Sequence, residues 1–322
     1  MKAALVNQTG GPENIEYAEV PTPEPGPGEV RVKLASIGVN FIDIYFRTGL
    51  YKATPPIILG QEGAGTVDVT GPDVAHLRHG DRVVYCMVRG AYAEYAVVPA
   101  WQLVKIPDSL DFNRAAAVIL QGMTAHYLTR STFDLKPGST CLVHAAAGGV
   151  GLLLVQIAKM TGARVIGTVG NEEKEEQARE VGADDVIIYT KQDFVAETKR
   201  ITGGKGVDVV YDAVGKSVFM GSLDCLRPRG MMVTFGNASG AVPPVEPLLL
   251  SQKGSLFLTR PTLANYAQTR DELNWRAGDV LRWTAEGKLK IHIHRAYPLW
   301  EAAQAHRDLE ARKTSGKLLL FP

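Results

Sequence analysis

The sequence predicts an α/β protein in two parts, a compact barrel-like β domain and a doubly wound parallel sheet. Three observations carry this. The chain has 322 residues, long for a single core. Residues 1–120 are mostly short apolar runs bounded by Gly or Pro. From about residue 138 strand-like and helix-like segments alternate regularly, which is the pattern of a parallel sheet with helices on both faces.

In the first part, PTPEPGPGEVRVKLASIGV (21–39) is a Pro/Gly-rich turn feeding an alternating strand. GAGTVDVTG, GDRVVYCMV and GAYAEYAVVP repeat the scheme, and LDFNRAAAVILQGMTAHYLTR (110–130) changes to helical spacing. In the second part STCLVHA is strand one, and GVGLLLVQIAKMTG is a helix stopped by Gly162. ARVIGTVG, DDVIIYT, VDVVYDAVG, GMMVTFGN and SLFLTRP are strands two to six. NEEKEEQAREVG, QDFVAETKRITGG and SVFMGSLDCLRPRG are the helices between them. Residues 261–322 hold two helical stretches and a strand, LKIHIH. That is too little for a third core, so this segment is expected to pack back on the first domain.

Composition narrows the function classes. Hydrophobic residues make up 45% of the chain, ample for packed cores. Net charge is +1, from 35 basic and 34 acidic residues, which leaves no electrostatic footprint for nucleic acid or anionic membrane. No apolar run reaches the ~20 residues of a membrane span, and the start turns polar too soon for a signal peptide. Cys86, Cys141 and Cys225 are far apart and suit neither a disulfide framework nor a CxxC metal site, so reduced thiols of a cytoplasmic protein are expected.

The chemistry-bearing motif is HAAAGGVGLLLVQIAK. Ala146-x-Gly148-x-x-Gly151 is a dinucleotide fingerprint with alanine in place of its first glycine. It follows a strand, opens a long helix and begins the alternation, which is the context that gives the motif meaning. Gly148 would let backbone approach a pyrophosphate, and the helix N-terminus would supply N–H groups to it. The acid that usually holds a ribose diol is expected at the end of strand two. Val169-Gly170-Asn171 stands there instead, which removes a barrier to a 2′-phosphate, and Lys174 in the next helical turn can reach one. A second reading stays open. Glu172 and Glu173 could complement the helix dipole behind Asn171 as N-cap, with Lys174 a surface charge; a glutamate turned inward would favour NAD. The non-acidic strand end favours NADPH.

NFIDIYFRTGLYKATPPIILGQEGAG (40–65) completes a series with GDRV, HAAAGGVG, TVGNEEK, VYDAVG, FGNASG and LTRP. With these motifs the chain resembles, nearly end to end, the medium-chain dehydrogenase/reductase superfamily. Within it the chain is similar to the zinc-free NADPH:quinone oxidoreductases, the group that includes zeta-crystallin. The resemblance implies a GroES-like catalytic domain over 1–123 plus 263–322 and a Rossmann NADPH-binding domain over 124–262. It also implies a homodimer, and strand SLFLTRP is an edge able to pair with its copy. The zinc enzymes of the superfamily use a cysteine where this chain has Asn40 and a histidine where it has Gln61. Amides are poor zinc ligands, the four-cysteine lobe is missing, and no metal is expected. The pair His292 and His294 reads as one exposed face of a strand.

The resemblance further implies a cofactor lying in a cleft between the domains. Asn40 and Thr124 would meet its nicotinamide end, with Tyr127 also among its contacts. Gly148, Gly149 and Val150 would cover the pyrophosphate. Gly170, Asn171, Lys174 and Tyr189 would lie around the adenosine 2′-phosphate. Phe235, Gly236, Asn237, Ala238 and Arg260 would close over it. Hydride transfer to a quinone needs little acid catalysis. Asn40, Tyr45, Tyr51 and Arg260 are therefore the catalytic candidates, the tyrosines and arginine as hydrogen-bond donors to a substrate oxygen. An enoyl or alkenal double-bond reductase is the nearest alternative and would require a proton donor, for which Tyr51 is the one suggestion. An NADPH-binding structural or RNA-binding protein is the alternative of another class, and the balanced charge opposes RNA.

Overall fold

The computed structural model describes residues 1–322, which divide into two compact units: Met1–Met123 with Ala267–Pro322, and Thr124–Tyr266. The division falls within one helix, Phe112–Tyr127.

The first unit is built on Glu29–Val39, whose alternation turns Val30, Val32 and Leu34 inward. This long strand pairs antiparallel with Glu62–Thr70 on one side and with Tyr95–Pro99 and Lys317–Phe321 on the other. Ile293–Pro298, Arg82–Cys86 and Val104–Lys105 complete a seven-stranded sheet, and Ile15–Glu19, Lys2–Val6 and Ile57–Ile58 form a smaller one. Val30, Val32, Ile37, Val83, Val98 and Leu320 lie in its core.

The C-terminal residues 267–322 belong to this unit. Their strand starts later than LKIHIH suggests. The helix Arg270–Ala285 ends at Gly287 in the left-handed region (φ 73°), and Leu289 turns back to donate its amide to Trp283 O and is fully buried. A helix-end contact of this kind consumes the first residues of the expected strand, which begins at Ile293. Strand Lys317–Phe321 was not anticipated at all. It pairs in parallel with Ile293–Pro298 and, on its other side, with Val39, Gly38 and Ile37, remote in sequence.

The second unit contains one six-stranded parallel sheet. Its order is Asp185–Ile188, Arg164–Val169, Thr140–His144, Val207–Asp212, Leu226–Thr234 and Phe257–Thr259. In chain order this is 3-2-1-4-5-6, the doubly wound arrangement, with reversal between Thr140–His144 and Val207–Asp212. The helix expected over SVFMGSLDCLRPRG covers only Phe219–Cys225, and Leu226–Arg229 already belong to the fifth strand. Pro228 accounts for this, because a proline disfavours helical backbone at the residue before it and cannot donate within a helix.

Under the phosphate turn, the buried His144 bonds Thr168 Oγ1 through Nδ1 (2.9 Å) and Ser222 Oγ through Nε2 (2.9 Å). Ser222 donates its hydroxyl to Val218 O, so it accepts from Nε2–H, and Nδ1 accepts from Thr168. Burial lowers the His144 pKa to about 3, so the ring stays neutral.

The C-terminal segment is tied to the first unit by charge as well as by pairing. Arg47 is buried and makes a bidentate contact with Glu310, at 2.6 and 3.0 Å. Removing one partner leaves a buried charge uncompensated. Glu310→Ala is therefore expected to lower the unfolding free energy by about 3 kcal/mol, measured by urea denaturation; a change under about 0.5 kcal/mol would discount the pair.

Candidate active site

In the second unit every expected cofactor residue from Gly148 onward follows the carboxyl end of a parallel strand. Gly148 to Val150 follow Thr140–His144; Gly170, Asn171 and Lys174 follow Arg164–Val169; Tyr189 follows Asp185–Ile188. Phe235 to Ala238 follow Leu226–Thr234, and Arg260 follows Phe257–Thr259. This edge is where doubly wound sheets bind ligands.

The phosphate turn is tight. Gly148 N donates to Ala145 O (2.8 Å), Ala145 adopts φ 53°, and the helix Gly149–Met160 starts with no side-chain cap. Its N-terminal amides are thus not taken by a capping side chain. A Cβ on Gly151 would come within 2.2 Å of Ala145 O, so only glycine lets the helix pack here. Alanine is tolerated at 146 because the neighbouring strand carries Gly167, where a Cβ would lie 2.8 Å from the Ala146 methyl.

At the end of the second strand the Tyr189 hydroxyl lies over Gly170, 3.0 Å from where a Cβ would be, and Thr190 Oγ1 donates to Gly170 O (2.9 Å). Asn171 caps the next helix by accepting from Lys174 N (2.9 Å). Glu172 is paired with the exposed Lys191, which holds its carboxyl below the ordinary range. The Lys174 ammonium is half-buried, and that burial lowers its pKa. Glu172 is thus engaged with Lys191, and the half-buried Lys174 stands in the first turn of the helix that follows Gly170, with the Glu173 charge acting on it.

Two loops at the far side interlock. Asp212 Oδ1 accepts from Val214 N (2.7 Å) and Gly215 N (2.9 Å), while Asp212 O accepts from Phe235 N (2.8 Å). Ala238 N donates to Ala213 O (3.3 Å), and Arg260 donates to Thr234 O (3.1 Å). Tyr127 stacks on Tyr266 with centroids 4.5 Å apart, and Thr124 is buried one turn earlier on the same helix.

In the first unit Asn40 precedes the helix Phe41–Arg47, where Asp43 Oδ2 accepts from Asn40 N (2.9 Å). Tyr45 is buried on that helix and packs edge-on against Tyr51 at 5.3 Å, with Phe46 against Tyr51 at 5.6 Å. Arg89 lies over the Phe46 ring. A shallow surface depression is lined by Asp43, Phe46, Ile57–Gln61 and Arg89.

Residues that the sequence reading missed cluster here. Asn40 Oδ1 accepts from Lys317 Nζ (2.8 Å) and Gln121 Nε2 (3.3 Å), and Asn40 Nδ2 donates to Glu62 Oε2 (2.8 Å). Lys317 also donates to Glu62 Oε2. Tyr92 bridges Asp43 (3.2 Å) and His306 (3.0 Å). Burial raises the Asp43 pKa to about 7 despite the bond from Asn40 N. GQEG held a local signal for Glu62; Lys317 had none. Zinc does not fit this donor set. The amides Asn40 and Gln61 stand at the ligand positions, an ammonium contacts Asn40, and no three His, Cys, Asp or Glu side chains are grouped to hold a metal. His292 bonds Ser315, and its ring lies 6.4 Å from that of His294.

A GroES-like β unit and a doubly wound nucleotide fold define a medium-chain dehydrogenase/reductase. Residues 26–108 match the alcohol dehydrogenase GroES-like domain, and 149–273 match the zinc-binding dehydrogenase domain. A quinone oxidoreductase of Pseudomonas aeruginosa is 48% identical over 97% of both chains. A 2-haloacrylate reductase of a Burkholderia species is 44% identical over 99% of this chain and 98% of its own. The crystal structure of Escherichia coli quinone oxidoreductase complexed with NADPH superposes with TM-score 0.98 at 44% identity, covering all of both chains. The chain belongs to the quinone oxidoreductase family of that superfamily.

The Asp212 loop has a pH signature. Burial raises the Asp212 pKa from 3.8 to about 6, outweighing its backbone bonds and Arg260. A carboxyl with a raised folded pKa holds its proton more tightly when folded, so its contribution to stability falls as pH rises from about 4 to 6. Asp212→Asn keeps the oxygen acceptor and is expected to flatten this decline in denaturation midpoints across that window. An unchanged slope would remove Asp212 as its source.

Proposed function

We propose that the protein is an NADPH-dependent quinone reductase that works without zinc. The observation that carries this reading is the non-acidic, lysine-flanked end of the second strand, with Glu172 held by Lys191. The NADPH complex of the Escherichia coli relative supports it.

When bound, NADPH supplies a hydride to an electrophilic carbon. The chain supplies position and charge. Gly149 and Val150 offer backbone amides to the pyrophosphate at an uncapped helix start, while Gly148, its own amide turned to Ala145 O, lets the backbone come close. Lys174, Asn171 and the Tyr189 hydroxyl surround the 2′-phosphate beside Gly170. Phe235, Gly236, Asn237, Ala238 and Arg260 cover the cofactor, and Thr124 and Tyr127 lie toward its nicotinamide. Tyr45 and Tyr51 present a rigid aromatic surface for a flat quinone ring. Asn40 contributes through the network that holds this surface, because its amide already bonds Lys317, Gln121 and Glu62.

The 2-haloacrylate reductase relative favours a second reading, reduction of an activated double bond. That chemistry needs a proton at the α-carbon, for which Tyr51 is the candidate. Steady-state rates with 1,4-benzoquinone and 2-chloroacrylate side by side decide between the two, and a strong preference for the acrylate would sink the quinone reading.

The fold's edge strand Phe257–Thr259 exposes Phe257, and Leu248 nearby in the sequence is exposed too. We propose homodimerisation through this edge. No helix is long and apolar enough to cross a membrane, and we place the enzyme in the cytoplasm on its three buried, unpaired thiols.

A hydrogen bond to a charged group contributes about 1.5–3 kcal/mol. Lys174→Ala is therefore expected to raise the Kd for NADPH roughly 10- to 100-fold and to leave that for NADH within about twofold, by fluorescence titration. Equal effects on both nucleotides would remove Lys174 from the 2′-phosphate site.

A further inference from the structure

Lys317 and Glu62 form an ion pair closed off from solvent, with side chains 1% and 0% exposed. Such a pair is weak evidence for stability, since apolar residues of the same volume often serve as well. What this pair does is fix an amide. Both ends of the Asn40 carboxamide are held, Oδ1 by Lys317 and Gln121, and Nδ2 by Glu62 and by Gly38 O at 3.4 Å. It can neither rotate nor flip without breaking a charge-assisted bond. Asn40 is the N-cap of the helix that carries Tyr45, and Tyr45 packs on Tyr51. Glu62 Oε1 also accepts from Leu120 N (2.7 Å), so the same pair holds the helix Phe112–Tyr127. Gly38 completes the site, because a Cβ there would fall 2.0 Å from Glu62 Oε2 and 2.8 Å from Lys317 Cε.

We infer that Lys317 is a positioning residue for substrate reduction: its ammonium acts as a fixed internal cation that sets Asn40, and through it the Tyr45–Tyr51 surface, without touching substrate. This rests on the reading that those tyrosines face the substrate.

Three variants test it: Lys317→Met, the double change Glu62→Gln with Lys317→Met, and Gly38→Ala, which crowds the pair with both charges kept. Each is measured for kcat and KM with 1,4-benzoquinone at saturating NADPH, for NADPH Kd by fluorescence, and for thermal midpoint. Lys317→Met is expected to lower kcat/KM for the quinone roughly tenfold or more, the scale of a misplaced reacting surface, with NADPH Kd within about twofold. The double variant is expected to recover the thermal midpoint but not kcat/KM. If it recovers both, Lys317 is merely structural and the inference fails. Should Lys317→Met not fold, Gly38→Ala carries the test: a selective loss of kcat/KM supports the inference, and wild-type kinetics overturn it. A wild type inert toward quinone would sink the quinone reading instead, and the same variants are then read with 2-chloroacrylate.

Discussion

Parallel pairing is the constraint on which the second unit depends. Parallel neighbours cannot be joined by a tight hairpin; each needs a crossover, and here those crossovers are mostly helical. The chain must therefore leave every strand at the same edge. The loops after His144, Val169, Ile188, Asp212, Thr234 and Thr259 gather there without any contact between their side chains being required. Reversal of strand order between the first and fourth strands opens the crevice at that edge. The residues proposed for the cofactor owe their shared position to topology first and to their own chemistry second.

In the first unit the organising problem is charge without water. Glu62, Lys317, Asp43 and Arg47 are all buried in a unit whose core is mainly apolar. Each meets an opposite charge or a hydrogen-bond donor or acceptor at close range: Glu62 with Lys317, Arg47 with Glu310, Asp43 with Tyr92 and Asn40 N. Unpaired, any of them would cost more than a local contact returns. These groups converge on one short helix, Phe41–Arg47, which is held at its start by Asn40 and Asp43 and near its end by Arg47. A helix of this length has little stability of its own, and buried polar contacts hold it at both ends.

This division explains which parts of the protein were legible in the sequence. The phosphate turn, the alternation of strands and helices and the non-acidic strand end are local patterns, read from contiguous residues. Glycine 151 is required by backbone a few residues away, so its role could be stated in advance. The cationic partner of Asn40, Lys317, lies 277 residues off, on a strand whose apolar run LLLF carried no mark of sheet pairing. Leu289 looked like a strand residue because it is apolar in an alternating run, yet a helix end claimed it. Local chemistry shows at sequence level; which remote partner satisfies a buried group does not.

The same distinction bears on cofactor choice. Glu172 read alone was ambiguous, since a carboxylate in a first helical turn can either complement the dipole or hold a ribose. In the fold Glu172 pairs with Lys191, which lies beyond the third strand, 19 residues away. With Glu172 paired to Lys191, the proposed 2′-phosphate site is left to the half-buried Lys174, the Tyr189 hydroxyl over Gly170 and the helix N-terminus, against the charge of Glu173. All three favour an anion. Burial lowers the Lys174 pKa in the free protein, and a phosphate brought against it would oppose that shift by stabilising the charged ammonium. If the 2′-phosphate sits as proposed, the desolvation cost already borne in the folded chain becomes binding selectivity for the nucleotide that carries it.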